Sequence, residues 1–314
     1  MRSLPFFIVA CAVGGVFYAG VRAFGNDYVF FAGYTVLQFV VLATAWNILG
    51  GYTGYVNFGS AAFFAVGAYT TVFFHKFYAL PIPLLIVLGG VVAGLLGLGM
   101  GYLTLRLRGA FFAIATLALA VVLQTLVVNW DYVGGSRGAY VIRPRDIAII
   151  GSYIEYLFLL MLLLSVIALT CARAIEGSRL GYGFATIRDD ELAAEASGVP
   201  TLKLKLIATT LSGAFMGMAG APFPYFISYL EPSSAFGLQY AVNSIAMPMI
   251  GGTTSWVGPL VGALLLGTLQ QVATVTISSA VNLLLVGVLL VVFVIVAPKG
   301  IVGLVEGLVR KRKR

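Results

Sequence analysis

Long apolar runs separated by short polar breaks make up most of the chain. Reading from break to break predicts ten helical spans, near Leu4–Tyr18, Val29–Leu49, Phe58–Phe74, Leu84–Leu105, Ala110–Val128, Tyr153–Ala172, Leu204–Tyr229, Leu238–Ile250, Gly258–Thr276 and Val281–Ala297. A run of about 18 or more apolar residues can cross a hydrocarbon layer roughly 30 Å thick, because a helix satisfies its own backbone hydrogen bonds there. The pattern predicts an all-α polytopic membrane protein, with residues 1–314 forming one transmembrane domain. Met-Arg before the first run resembles the start of a signal peptide, but ahead of nine further runs it reads as an uncleaved first span.

The mean hydropathy of +1.02 agrees, since no soluble core could bury so much apolar side chain. Cys11 and Cys171 both fall in apolar runs, which suggests neither a disulfide framework nor a metal site. The nineteen Lys and Arg exceed the eleven Asp and Glu, but they sit at span ends and in Arg310–Arg314, where they act on topology rather than on nucleic acid. Ten spans put both termini on one side. With the termini in the cytoplasm, fourteen basic residues lie inside and five outside, the five being Arg22, Lys76, Arg137, Arg143 and Arg145. Residues 173–203 then form a cytoplasmic loop and residues 129–152 an external one.

The chain has no Gly-Lys pair followed by Ser or Thr, hence no phosphate-binding P-loop of its own. The single histidine, His75, sits beside Lys76 at a span end, as an interfacial anchor does. No acidic or basic residue lies near the middle of a span, where proton relays and ion-coupled carriers need one. The spans do hold neutral polar residues: Gln38, Thr44 and Asn47, then Asn57 and Ser60, then Gln124, and later Asn243, Gln270 and Gln271. These either bond helix to helix or line a path for a polar solute.

Many of the 38 glycines have small-xxx-small spacing and predict close helix packing, Gly90/Gly94 and Gly213/Gly217 among them. The clusters Gly50–Gly59, which contains Gly54, and Gly251–Pro259, which opens on Gly251 and Gly252, combine glycine with Thr, Asn, Ser or Pro where helices break. Each is either an ordinary surface loop or a polar backbone segment beside a water-filled path.

Four of the eleven carboxylates, Asp189, Asp190, Glu191 and Glu195, crowd into RDDELAAEASGVP, residues 188–200. Asp189 or Asp190 suits an N-cap, and Gly198 followed by Pro200 is a stop, so the stretch predicts one amphipathic helix of about nine residues. Leu192 and Ala196 fall on one face, Glu191 and Glu195 on another. So short a helix needs cover for its apolar face, from its own flanking spans or from a groove in a separate cytoplasmic protein.

The wider segment GYGFATIRDDELAAEASGVPTLKLKL strongly resembles the coupling loop of the M-type subunit of branched-chain amino acid ABC importer permeases. Asn47–Thr70, Leu105–Ala120 and Ile250–Gly267 are similar to that family's other recurring segments, in the same order. The resemblance implies a type II importer permease fold in the bacterial cytoplasmic (inner) membrane. It implies a coupling helix, carried by Arg188, Asp189, Asp190, Glu191, Leu192, Ala194, Glu195, Ala196 and Gly198, that inserts into an ATP-binding subunit. It also implies a second homologous permease subunit, two ABC ATPase subunits that hold ATP and magnesium, and an extracytoplasmic substrate-binding protein. This chain itself would bind no cofactor. Ser197 stands where the family often has a larger residue, and the external loop is more basic than is usual. Relatives in the superfamily import urea, short amides, nucleosides or aromatic acids, so the solute is branched-chain amino acids or another small molecule of this kind. The other class open to such a chain is an ion-coupled carrier or channel that works alone.

Overall fold

A computed structural model describes residues 3–23, 26–78, 80–104, 106–142, 151–276, 281–297 and 300–305. The described helices are α1 (Ser3–Ala23), α2 (Asp27–Thr53), α3 (Ser60–Phe77), α4 (Ile82–Thr104), α5 (Ala110–Val128), α6 (Tyr153–Glu176), α7 (Arg179–Asp189), α8 (Glu191–Ala196), α9 (Thr201–Gly220), α10 (Phe223–Ile227), α11 (Pro232–Ala235), α12 (Leu238–Gly251), α13 (Val257–Thr276) and α14 (Val281–Val296). Each predicted span falls on one of them, except Leu204–Tyr229, which covers α9 and α10. Seven stretches among the described residues are long and apolar enough to cross a membrane, namely α1, α2, α4, α5, α6, α9 continued through α10, and α13. α3, α12 and α14 are shorter, at 18, 14 and 16 residues.

α2 is the central post, buried from Leu37 to Thr53, and α6, α9, α12 and α13 pack around it. α1 and α5 lie at the periphery with most of their apolar surface uncovered. Between lipid-soluble helices, association comes from close packing rather than from expulsion of water, so small residues mark the seams. The α4–α9 seam shows this: a Cβ added at Gly217 would lie 2.5 Å from the Gly89 carbonyl oxygen, and one added at Gly97 would lie 3.0 Å from that of Thr209.

The predicted span Leu204–Tyr229 does not run through as one helix. It pauses at Ala221–Pro222, continues as α10, and turns out through Ser228, whose φ is +65°. Tyr229–Leu230 (β2) then pairs antiparallel with Ala139–Tyr140 (β1), from the loop after α5. This ladder, a small departure from an all-α fold, ties residues 129–142 to the end of α10. Arg143 and Arg145, also predicted in that loop, lie outside the described residues, as do Arg2, Lys299 and Arg310–Arg314.

The ladder marks one face of the bundle. The opposite face carries the α4–α5 turn, α7, α8, the start of α9 and the α12–α13 turn, where the Trp256 amide donates to Glu176 at 2.8 Å. Arg173, at the end of α6, stacks 4.1 Å over the Phe6 ring of α1, and Gly300 packs on Gly252. The described residues nearest both ends of the chain therefore share the face that carries the acidic segment. Arg106, Arg108, Arg173, Arg179, Arg188, Lys203 and Lys205 lie toward this face, whereas Arg22, Lys76 and Arg137 lie toward the ladder face.

Candidate functional site

The acidic segment is two helices rather than one. Ser178 caps α7, so the loop expected over residues 173–203 contains a helix ahead of the acidic one; Gly181 lets α7 begin close against α6, where a Cβ would meet the Ile175 carbonyl at 2.2 Å. Asp189 ends α7. Asp190 then leaves the helical conformation and caps α8, its Oδ1 accepting from the Ala193 amide at 3.1 Å. Gly198, at φ +81°, closes α8: its amide donates to Glu195 and that of Val199 to Ala194, both at 3.0 Å. This two-bond pattern is a Schellman stop, and it leaves α8 six residues long.

Leu192 and Ala196 share one face of α8 as predicted, and that face is open. Leu192 is 63 % exposed and Ala193 and Ala196 are also exposed, whereas Ala194 is buried and Glu191 points inward. The flanking spans do not cover the apolar edge. The reason is Lys205, in the second turn of α9 and only 3 % exposed. A buried ammonium without a counter-charge costs several kcal/mol, more than the roughly 1.5–3 kcal/mol from burying a leucine. Lys205 Nζ lies 2.7 Å from Glu191 Oε1 and donates to the Tyr55 hydroxyl at 3.2 Å. The Tyr55 hydroxyl in turn bonds Glu191 Oε2, and Arg108 Nε approaches that oxygen at 3.6 Å. Burial by itself would raise the Glu191 carboxyl, but the hydrogen bonds from Lys205 and Tyr55 and the charges of Lys205 and Arg108 outweigh it and hold the pKa below its ordinary value.

Glu195 accepts from Thr201 Oγ1 at 2.8 Å and lies 3.5 Å from Arg108. Arg188 donates to Asp189 at 3.3 Å, and its stem lies where a Cβ on Gly54 would come within 3.2 Å. Gly54, at φ +78°, is the left-handed stop of α2 and packs against α7, at the edge of a cleft of about 380 Å³ lined also by Arg108 and Glu191. Sequence reading missed Lys205, Tyr55, Arg108 and Thr201. The available signal was a lysine at the start of an apolar run, with two carboxylates, Glu195 and Glu191, 10 and 14 positions upstream.

The other predicted path residues are scattered. Gln38 and Asn243 line one cavity of about 420 Å³ between α2, α10, α12 and α13, together with Gln270 and Gln271. Ser60 Oγ bonds Ser244 Oγ at 2.9 Å and so joins α3 to α12. Asn57 is structural, since its Oδ1 accepts from the Gly59 amide at 2.8 Å and its carbonyl from Trp46 Nε1 at 2.9 Å. Asn47 is buried one turn before Gly51, with neither amide atom hydrogen-bonded among the described residues. Gly251 and Gly252 pack against the backbone of α13: a Cβ on Gly251 would meet the Gly258 carbonyl at 1.8 Å, and one on Gly258 would meet that of Gly252 at 1.7 Å. This glycine cluster lets α12 and α13 cross backbone to backbone. No group of acidic, histidine or cysteine side chains among the described residues could hold a metal ion.

A family model described as branched-chain amino acid transport system / permease component matches residues 28–294. Among curated proteins, the high-affinity branched-chain amino acid transport system permease protein LivM of Escherichia coli K12 is 26 % identical over 288 residues, covering 84 % of this chain and 67 % of that one. The probable branched-chain amino acid transport permease protein LivH of Methanocaldococcus jannaschii is 23 % identical over 281 residues, 84 % of this chain and 88 % of its own. The ribose import permease protein RbsC of Escherichia coli K12 is 29 % identical over 115 residues, 35 % of each chain. No solved structure matches.

Proposed function

The chain belongs to the family of branched-chain amino acid transport system permease components, and from that premise we propose that it is a membrane-spanning subunit of an ATP-driven importer of branched-chain amino acids. Its partners would be a second homologous permease subunit, two ABC ATPase subunits that bind ATP and magnesium, and an extracytoplasmic substrate-binding protein. It would span the bacterial inner membrane with the acidic segment in the cytoplasm. The observation that carries this reading is the uncovered apolar edge of α8, Leu192, Ala193 and Ala196, on the face rich in Lys and Arg of a chain that has no nucleotide-binding motif. A polar-rimmed apolar edge of this kind suits a groove on a partner.

In proteoliposomes holding the complete importer and its binding protein, L-leucine uptake is expected only with ATP. ATP-independent uptake by the purified chain alone would favour the lone-carrier class instead. Orientation has its own test. In a chain lacking Cys11 and Cys171, Ser136→Cys should react with an impermeant maleimide in sealed spheroplasts, and Gly177→Cys only after permeabilisation. Both residues are exposed, on opposite faces of the bundle. The reverse labelling order would invert the assigned orientation.

A further inference from the structure

The cavity between α2, α10, α12 and α13 contains a concentration of side-chain chemistry that helix packing does not use up. Its volume, about 420 Å³, falls in the range of small-molecule pockets, about 300–1,000 Å³. Five amide side chains line it, Gln38, Gln239, Asn243, Gln270 and Gln271. Polar groups at membrane depth are costly unless bonded, and those that face a cavity mark a solute route. Gln38, near the middle of α2, donates through Nε2 to the Ala219 carbonyl at 3.3 Å, which fixes its amide and leaves Oε1 free as an acceptor. Gln270 Nε2 donates to Asn243 Oδ1 at 2.9 Å. Whichever way that pair is oriented, one NH₂ and one carbonyl remain for a ligand.

No Asp, Glu, Lys or Arg lines the cavity among the described residues, so a net-charged solute would enter without a counter-charge. A zwitterion is different. Its carboxylate accepts from amide NH₂ groups, its ammonium donates to amide oxygens, and its two charges remain close to each other. Phe39, Phe223, Phe226 and Tyr240 also line it and offer an apolar surface to the solute's other end. We propose that this cavity binds the solute in transit, as an amide-walled site for a net-neutral small molecule with one zwitterionic end and one apolar end. The proposal rests on the importer reading above and adds to it a place and a ligand chemistry within this chain.

The test uses the complete importer in proteoliposomes, with L-leucine and L-lysine as probes. Asn243→Leu combined with Gln270→Met removes both members of the bonded pair. Replacing both partners by apolar groups of similar size leaves a buried site nearly neutral in stability. Leucine uptake is expected to fall about tenfold or more, with normal assembly and basal ATP hydrolysis. Gln271→Leu, at a lining residue that makes no hydrogen bond among the described residues, guards against misfolding of the double variant and should also reduce uptake. Normal uptake by well-assembled variants would overturn the cavity assignment while leaving the importer reading intact. So would selective loss in Ala241→Trp, which fills the neighbouring cleft lined by Phe58 and Gln124 on the other side of α12. If the wild-type importer carries L-lysine and not leucine, the branched-chain reading and the neutral-site proposal both fail. If it carries another neutral solute, only the branched-chain reading fails, and the same variants decide the cavity with that solute.

Discussion

Lys205→Met is expected to destabilise the chain by about 3 kcal/mol, the lower end of the cost of breaking a buried ion pair. Glu191 would keep its negative charge, with its side chain only 11 % exposed and its 2.7 Å partner gone. Arg108 cannot replace that partner, because it is half exposed and lies 3.6 Å away, where water screens it. The released carboxylate should draw α8 away from Tyr55 and uncover Ala194. Thermal denaturation of the detergent-purified chain would show a lowered midpoint. Lys205→Met combined with Glu191→Gln should recover most of the loss, since the remaining amide still bonds the Tyr55 hydroxyl. A single variant as stable as wild type, or a double variant no better than the single, would mean the pair contributes little.

The same pair shows why part of the site could be read from sequence and part could not. The caps of α8 depend on nearest neighbours, and both Asp190 and the left-handed Gly198 follow from the local residues. The orientation of the helix depends on a residue 14 positions away in another helix: the local pattern left open whether the flanking spans or a partner cover Leu192 and Ala196, and the Lys205–Glu191 pair turns that edge outward. The spans were legible because length and apolarity decide them. The break after Gly220 had a local signal in Pro222 and Pro224 that the apolar run outweighed, whereas the exit beyond Ser228 depends on β2 pairing with residues about 90 positions earlier. The glycine clusters were ambiguous for a related reason: glycine permits a strained turn at Gly54 and a backbone crossing at Gly251, and only the packing partner tells the two apart. Gln38 and Asn243 were both visible as intramembrane amides, but α2 and α12 had to be brought together before they shared a cavity.

Leu192→Asp is expected to abolish leucine uptake by the complete importer and to release the ATPase subunits, while the membrane chain itself stays intact. The prediction depends on which face of α8 is free. Reversing the charges of Glu191 and Glu195 would not discriminate, because Glu191 holds Lys205 and its loss would disturb the fold before any docking could be measured. Leu192 is 63 % exposed, and a charge there meets water in the isolated chain at little cost. In a docked complex the same charge would enter an apolar groove unpaired. Central apolar anchors of interfaces contribute about 2–4 kcal/mol, which is roughly a 30- to 1,000-fold loss of affinity. Leu192→Met keeps the apolar volume and should retain both uptake and the ATPase. The measurement is co-purification of the ATPase subunits with each variant, alongside the thermal midpoint of the chain. If Leu192→Asp binds the ATPase and transports leucine at wild-type levels, α8 does not dock through this edge and the coupling role moves elsewhere on the basic face.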